Sequence, residues 1–180
     1  PNASTVAREE RRVGTVSQLL VSLNDIIDQV DALLTAQAVT RDLNLTEGIV
    51  ATHQAHPLLI LVSDVTMPAL FLYPGTIAEK SIAINAESVD PVLSIAGLFP
   101  FAPPTTTATD WDDANMANTI AAERNVRQIM LLKSNMLTVR TALPGFRQFN
   151  PQGSLIRYGL GNKQVWTFEL SLECQTTADS

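Results

Sequence analysis

The chain reads as an α+β domain: a small, mainly antiparallel sheet packed by two long helices, with a long Pro/Thr-rich surface loop between them. Three patterns carry that reading. Apolar residues from Val16 to Leu34 recur at spacings of four and three, the helical period. From Val165 to Cys174, Thr, Glu, Ser and Glu alternate with Phe, Leu, Leu and Cys, the strand period. Between them, Gly97 to Asp113 follows neither period and holds three prolines. At 180 residues one domain is expected, with a core large enough to need no staples. The boundaries divide the chain into an N-terminal segment at 1–14, the domain at 15–175 with its inserted loop at 97–113, and a flexible tail at 176–180.

Thr15 or Ser17, after Gly14, is placed to cap the first helix, because its hydroxyl can accept from an unpaired amide of the first turn. Val16, Leu20, Leu23, Ile27, Val30 and Leu34 form its buried stripe, and Leu19, Ile26 and Leu33 widen it beyond a coiled-coil seam. Asp25, Asp28 and Asp31 make an acidic row, expected to be a solvated face because carboxylates at that spacing diverge too far to enclose an ion. Strands are expected at Leu58–Val62, Ala69–Tyr73 and Ser81–Asn85, the last two separated by the Pro74-Gly75 turn. A short strand at Val92–Ile95 is weakened by Pro91. The 97–113 loop exposes Phe99, Phe101 and Trp111, which are costly to leave in water, so it is expected to pack on a neighbouring subunit. A second helix is expected from Asp113 or Asn115 to near Thr141, with Glu123 and Arg127 paired one turn apart, ending before Pro144-Gly145. After a mixed loop to Gly153, Ser154–Tyr158 and the alternating run to Cys174 form a hairpin with one apolar and one wet face.

Charge is unevenly distributed along the chain. The net charge is −6, yet Arg124 to Phe168 holds seven bases (Arg124, Arg127, Lys133, Arg140, Arg147, Arg157, Lys163) and no acid. Residues 13 to 123 hold thirteen acids and two bases. If the two parts stay apart in space, copies of the chain attract one another or orient on a charged partner; if they fold together, they neutralise internally.

Signatures of chemistry are sparse. There is no phosphate loop, dinucleotide fingerprint, nucleophile elbow or paired-cysteine metal site. Gly159-Leu160-Gly161-Asn162-Lys163 precedes a strand and so lacks the helix N-terminus a phosphate cradle needs. His53 and His56 have no third ligand nearby, and Pro57 pulls His56 out of helical geometry. Asp110, Asp112 and Asp113 lack an accompanying base or nucleophile and are expected to cap the second helix. The lone Cys174 allows no disulfide framework and is expected to be an inert strand side chain. No cofactor is expected. The longest apolar stretch is far too short to span a bilayer, and the charged run Arg8 to Arg12 predicts no signal peptide. Nucleic-acid binding is the competing class. Phe146, Phe149, Tyr158 and Trp166 interleave with Arg147 and Arg157 as stacking platforms require, but the acidic remainder opposes it.

The order of elements resembles small neck and tail-junction proteins of tailed bacteriophages, the tail-terminator type above all. The likeness lies in an early amphipathic helix, central strands, a long aromatic loop, a second helix, and the closing strand Val165-Trp166-Thr167-Phe168-Glu169-Leu170-Ser171-Leu172. It covers Thr15 to Cys174 loosely, with 97–113 as an insertion. The resemblance implies a non-enzymatic virion structural protein, made in the host cytoplasm, that forms a homo-oligomeric, hexameric ring on the tail tube and meets tube, sheath or neck proteins. It supplies no catalytic residues. The contact candidates, taken from the charge pattern and the aromatic loop, are Arg124, Arg127, Arg140, Arg147, Arg157, Lys163, Phe99, Phe101 and Trp111. Other neck, sheath-associated or baseplate roles are the alternatives within that class.

Overall fold

The computed structural model describes residues 21–41, 43, 45, 48–51, 66–75, 91–100, 113–160 and 163–176. Among these, three helices and five strands follow one another as α1 (Leu23–Gln37), β1 (Gly48–Ala51), β2 (Ala69–Pro74), β3 (Val92–Pro100), α2 (Asp113–Leu131), α3 (Lys133–Ala142), β4 (Phe146–Leu160) and β5 (Lys163–Thr176). The strands form one sheet in the order β1-β2-β3-β5-β4. The α+β class therefore stands, but the sheet is mixed: β1 runs parallel to β2, while the other three pairings are antiparallel. A parallel neighbour needs a crossover, and the long segment between Ala51 and Ala69 supplies its length.

Helix α1 starts later than expected. Ser22 is its N-cap, in extended backbone, and its hydroxyl accepts from the Asn24 amide at 3.2 Å. Thr15 and Ser17 lie outside the described residues. Ile26, Ile27, Val30, Leu33 and Leu34 are buried, as the period of the pattern requires.

The expected long second helix is two helices. Leu132 leaves helical geometry, with ψ 127°, and divides α2 from α3. The physical reason is a side-chain replacement: buried Asn135 donates its Nδ2 to the Ile129 carbonyl at 2.8 Å, and its Oδ1 accepts from Gln37 Nε2 at 2.9 Å. Asn135 thus satisfies a carbonyl at the break and ties all three helices together.

Strand β3 runs to Pro100, well past the short strand expected at Val92–Ile95. Pro91 precedes the strand, and its carbonyl accepts from the Cys174 amide at 2.8 Å, so its missing N–H is no obstacle. Phe99 is consequently buried, 3% exposed, instead of standing in an open loop. Positions 101–112, and with them Phe101, Trp111, Asp110 and Asp112, lie outside the described residues. So do the expected strands at Leu58–Val62 and Ser81–Asn85, and the His53/His56 pair.

The sheet buries side chains on both faces. On one, Leu70, Leu72, Leu93, Ile95, Phe168, Leu170 and Leu172 join the α1 and α2 residues in the main core. On the other, Ala69, Phe71, Tyr73, Ala96, Leu98 and Val165 form a second cluster. This double burial explains why β2 reads Ala-Leu-Phe-Leu-Tyr without alternation. It also corrects the expectation of one wet face on β5, where Thr167 and Glu173 are buried. Gly97 faces Phe168 across the β3–β5 ladder, and the ring occupies the space a side chain would fill. No described helix is long and apolar enough to cross a membrane.

Candidate interaction surface

Among the described residues the β4–β5 hairpin is the longest element pair, and β4 forms an edge of the sheet. Its first half, expected as a loop, is strand: Phe146 and Phe149 turn inward, 4.7 Å apart between ring centroids, and anchor the hairpin base in the core. Beyond Pro151 the strand turns to solvent. Gln152 through Tyr158 are all exposed, and the apolar side chains Leu155, Ile156 and Tyr158 are 54%, 36% and 44% exposed. Their directions follow from the register. Ile156 and Tyr158 pair with Phe168 and Trp166, whereas Leu155 pairs with Glu169 on the opposite face. The edge is therefore apolar on both sides. Tyr158 stands edge-on to Trp166 at 5.7 Å.

Polar pairs hold this end of the sheet in shape. Glu169 accepts from the Tyr73 hydroxyl at 2.8 Å through Oε1 and meets Arg157 at 3.5 Å through Oε2. Burial, reinforced by the bond to Glu169, pushes the Tyr73 phenol well above its usual range. Glu173, 9% exposed, accepts from Asn150 at 3.0 Å and Gln152 at 2.6 Å. Between these pairs lies an open depression of about 390 Å³, lined by Gln152, Gly153, Ser154, Leu155, Glu169 and Ser171. Its carboxylate is already engaged, which suits a contact surface better than a reaction centre.

Two members of the basic segment are engaged within the molecule. Arg127 donates through Nε and Nη2 to Oε1 of buried Glu123, at 2.9 and 2.7 Å, so it supports α2 instead of facing a partner. Arg157 is drawn to Glu169. Arg140 donates to the Arg147 carbonyl, and both side chains are exposed where α3 turns into β4. Arg124 is exposed on α2, away from that turn in sequence; the Lys163 side chain lies outside the described residues. Of the four aromatics expected as stacking platforms, Phe146, Phe149 and Trp166 are buried and only Tyr158 reaches solvent. That removes the interleaved surface the nucleic-acid reading relied on. At the far edge, Asp25 and Asp28 are exposed, and Asp31 is part-buried with its carboxyl raised by burial and by Asp28, against the lowering effect of the Thr35 hydroxyl.

Sequence reasoning missed Leu155 and Ile156. Two adjacent large apolar residues on a hairpin strand must point to opposite faces, and that was the available signal. No protein-family model matches the chain, and no curated protein matches it either.

Proposed function

We propose that this chain is a non-enzymatic structural protein of a tailed-bacteriophage virion, which self-associates into a ring at the neck or tube end of the tail in the manner of a tail terminator. The observation that carries the reading is the exposed β4 edge, apolar on both faces and stiffened by the Tyr73–Glu169–Arg157 and Glu173 contacts. An open strand edge is a template for another chain, and folded proteins leave one unguarded where a partner covers it. The succession of helix, strands, helices and closing hairpin supports the phage assignment through its resemblance to that family. Other neck, sheath-associated or baseplate roles would use the same surface against a different neighbour.

The test is the mass of the purified chain by light scattering at low and high salt, with negative-stain microscopy of the same samples. Closed rings support the reading. A monomer at both salts, up to the highest soluble concentration, overturns it.

A further inference from the structure

The sheet has two dissimilar ends. At one, α1 packs over β1 and carries Asp25, Asp28 and Asp31 with no base. At the other, α3 packs on β4, and these two elements carry Lys133, Arg140, Arg147 and Arg157 with no acid. Among the described residues, β1 and β4 are the edge strands. The acids thus lie on the helix over one edge strand and the bases on the elements at the other, although α1 and α3 meet at the Gln37–Asn135 bond.

We propose that copies of the chain join head to tail, the β4 edge of one pairing with the β1 edge of the next, so that the sheet continues through the ring. This deepens the ring-forming reading and rests on it. Three features select this contact. Irregularities between Pro151 and Gly153 and between Tyr158 and Leu160 bracket a regular run of β4 at 153–158, long enough to pair with all four residues of β1. The side chains match on both faces: β1 places Ile49 and Ala51 against the main core and Val50 against the second cluster, while β4 offers Ile156 on the first face and Leu155 on the second. Continuation of the sheet therefore sets apolar beside apolar on each side. A symmetric pairing of two β4 edges would close into a two-fold dimer and could not continue into a ring. A head-to-tail contact instead brings the α3–β4 bases of one copy towards the α1 acids of the next. Such a contact is heterologous, and it closes into a ring when its rotation permits.

The experiment compares the wild-type chain with two double variants, Leu155→Lys/Ile156→Lys at the β4 end and Asp28→Lys/Asp31→Lys at the α1 end. All four positions lie outside the main core and the second cluster, and circular dichroism confirms that each variant folds. Each variant alone should self-associate at least about tenfold more weakly than wild type. Mixed, the two should form a one-to-one dimer and nothing larger, since each brings one intact end. If the α1 variant assembles like wild type while the β4 variant does not, pairing is symmetric and the head-to-tail contact is wrong. If both variants still form rings, the contact lies elsewhere and the ring-forming reading survives. A monomeric wild type overturns both.

Discussion

Gly97→Ala isolates a single close approach in the core. A Cβ on Gly97 would sit 2.2 Å from Cε1 of Phe168, with Cδ1 at 2.7 Å and Cζ at 2.8 Å. Carbon atoms pack at about 3.5–4.0 Å, so the ring must retreat by more than about 1 Å. Phe168 is fully buried, against Phe99 at 6.3 Å between centroids, and has nowhere to retreat. Overpacking of this kind costs about 1–3 kcal/mol. Replacing a strand glycine recovers about 0.4–1 kcal/mol of chain entropy, since Gly97 does not have positive φ. A net loss of about 1–2 kcal/mol is expected. In urea, with a slope of about 2 kcal/mol per M, the midpoint falls by about 0.5–1 M, measured on dilute protein so that assembly does not contribute. Phe168→Leu in the Gly97→Ala background should be milder than Phe168→Leu alone, because the smaller side chain vacates the contested space. An unchanged or raised midpoint for Gly97→Ala would refute the close-packing argument.

Four further expectations follow from the geometry. Asn135→Ala removes the donor to Ile129 and the acceptor for Gln37, and should lower stability by about 2–3 kcal/mol in denaturant melts, more than Gln37→Ala does. Arg127→Ala leaves the buried Glu123 carboxylate unpaired and should cost about 1–2 kcal/mol, the moderate value reflecting the 31% exposure of Arg127; a loss below about 0.3 kcal/mol would show that water replaces the pair. Because the folded state holds the Tyr73 proton more tightly than the unfolded chain, whose phenol titrates near 10.0, that contribution is intact below pH 10 and lost as pH rises above it. Tyr73→Phe should flatten this alkaline slope in melts read against pH. Asp31 has a raised carboxyl, so its ionisation above the ordinary value of 3.8 works against folding, and Asp31→Asn should raise the melting temperature at neutral pH.

Much of the scaffold was legible because its signals are local. The stripe Ile26-Ile27-Val30-Leu33-Leu34, the Glu123–Arg127 pair and the alternation from Phe168 to Cys174 each depend on residues a few positions apart. The break at Leu132 was not legible, because the Asn135 side chain that takes the Ile129 carbonyl is also bonded to Gln37, 98 residues away. The candidate surface was half visible. Its charges were counted correctly, but Arg127 and Arg157 are occupied by carboxylates on the same molecule, and Phe99 is covered.

By itself, the sequence determined the class of fold, the periods of the main helix and closing strand, and the separation of acidic from basic stretches. Period and composition depend on neighbours along the chain, where covalent geometry sets the spacing. Only the tertiary structure decided that β1 joins β2 in parallel, that both sheet faces are buried, and that Leu155, Ile156 and Tyr158 are exposed while Phe99 is not. Pairing, burial and exposure depend on which distant residues arrive at the same place, and strand order settles that.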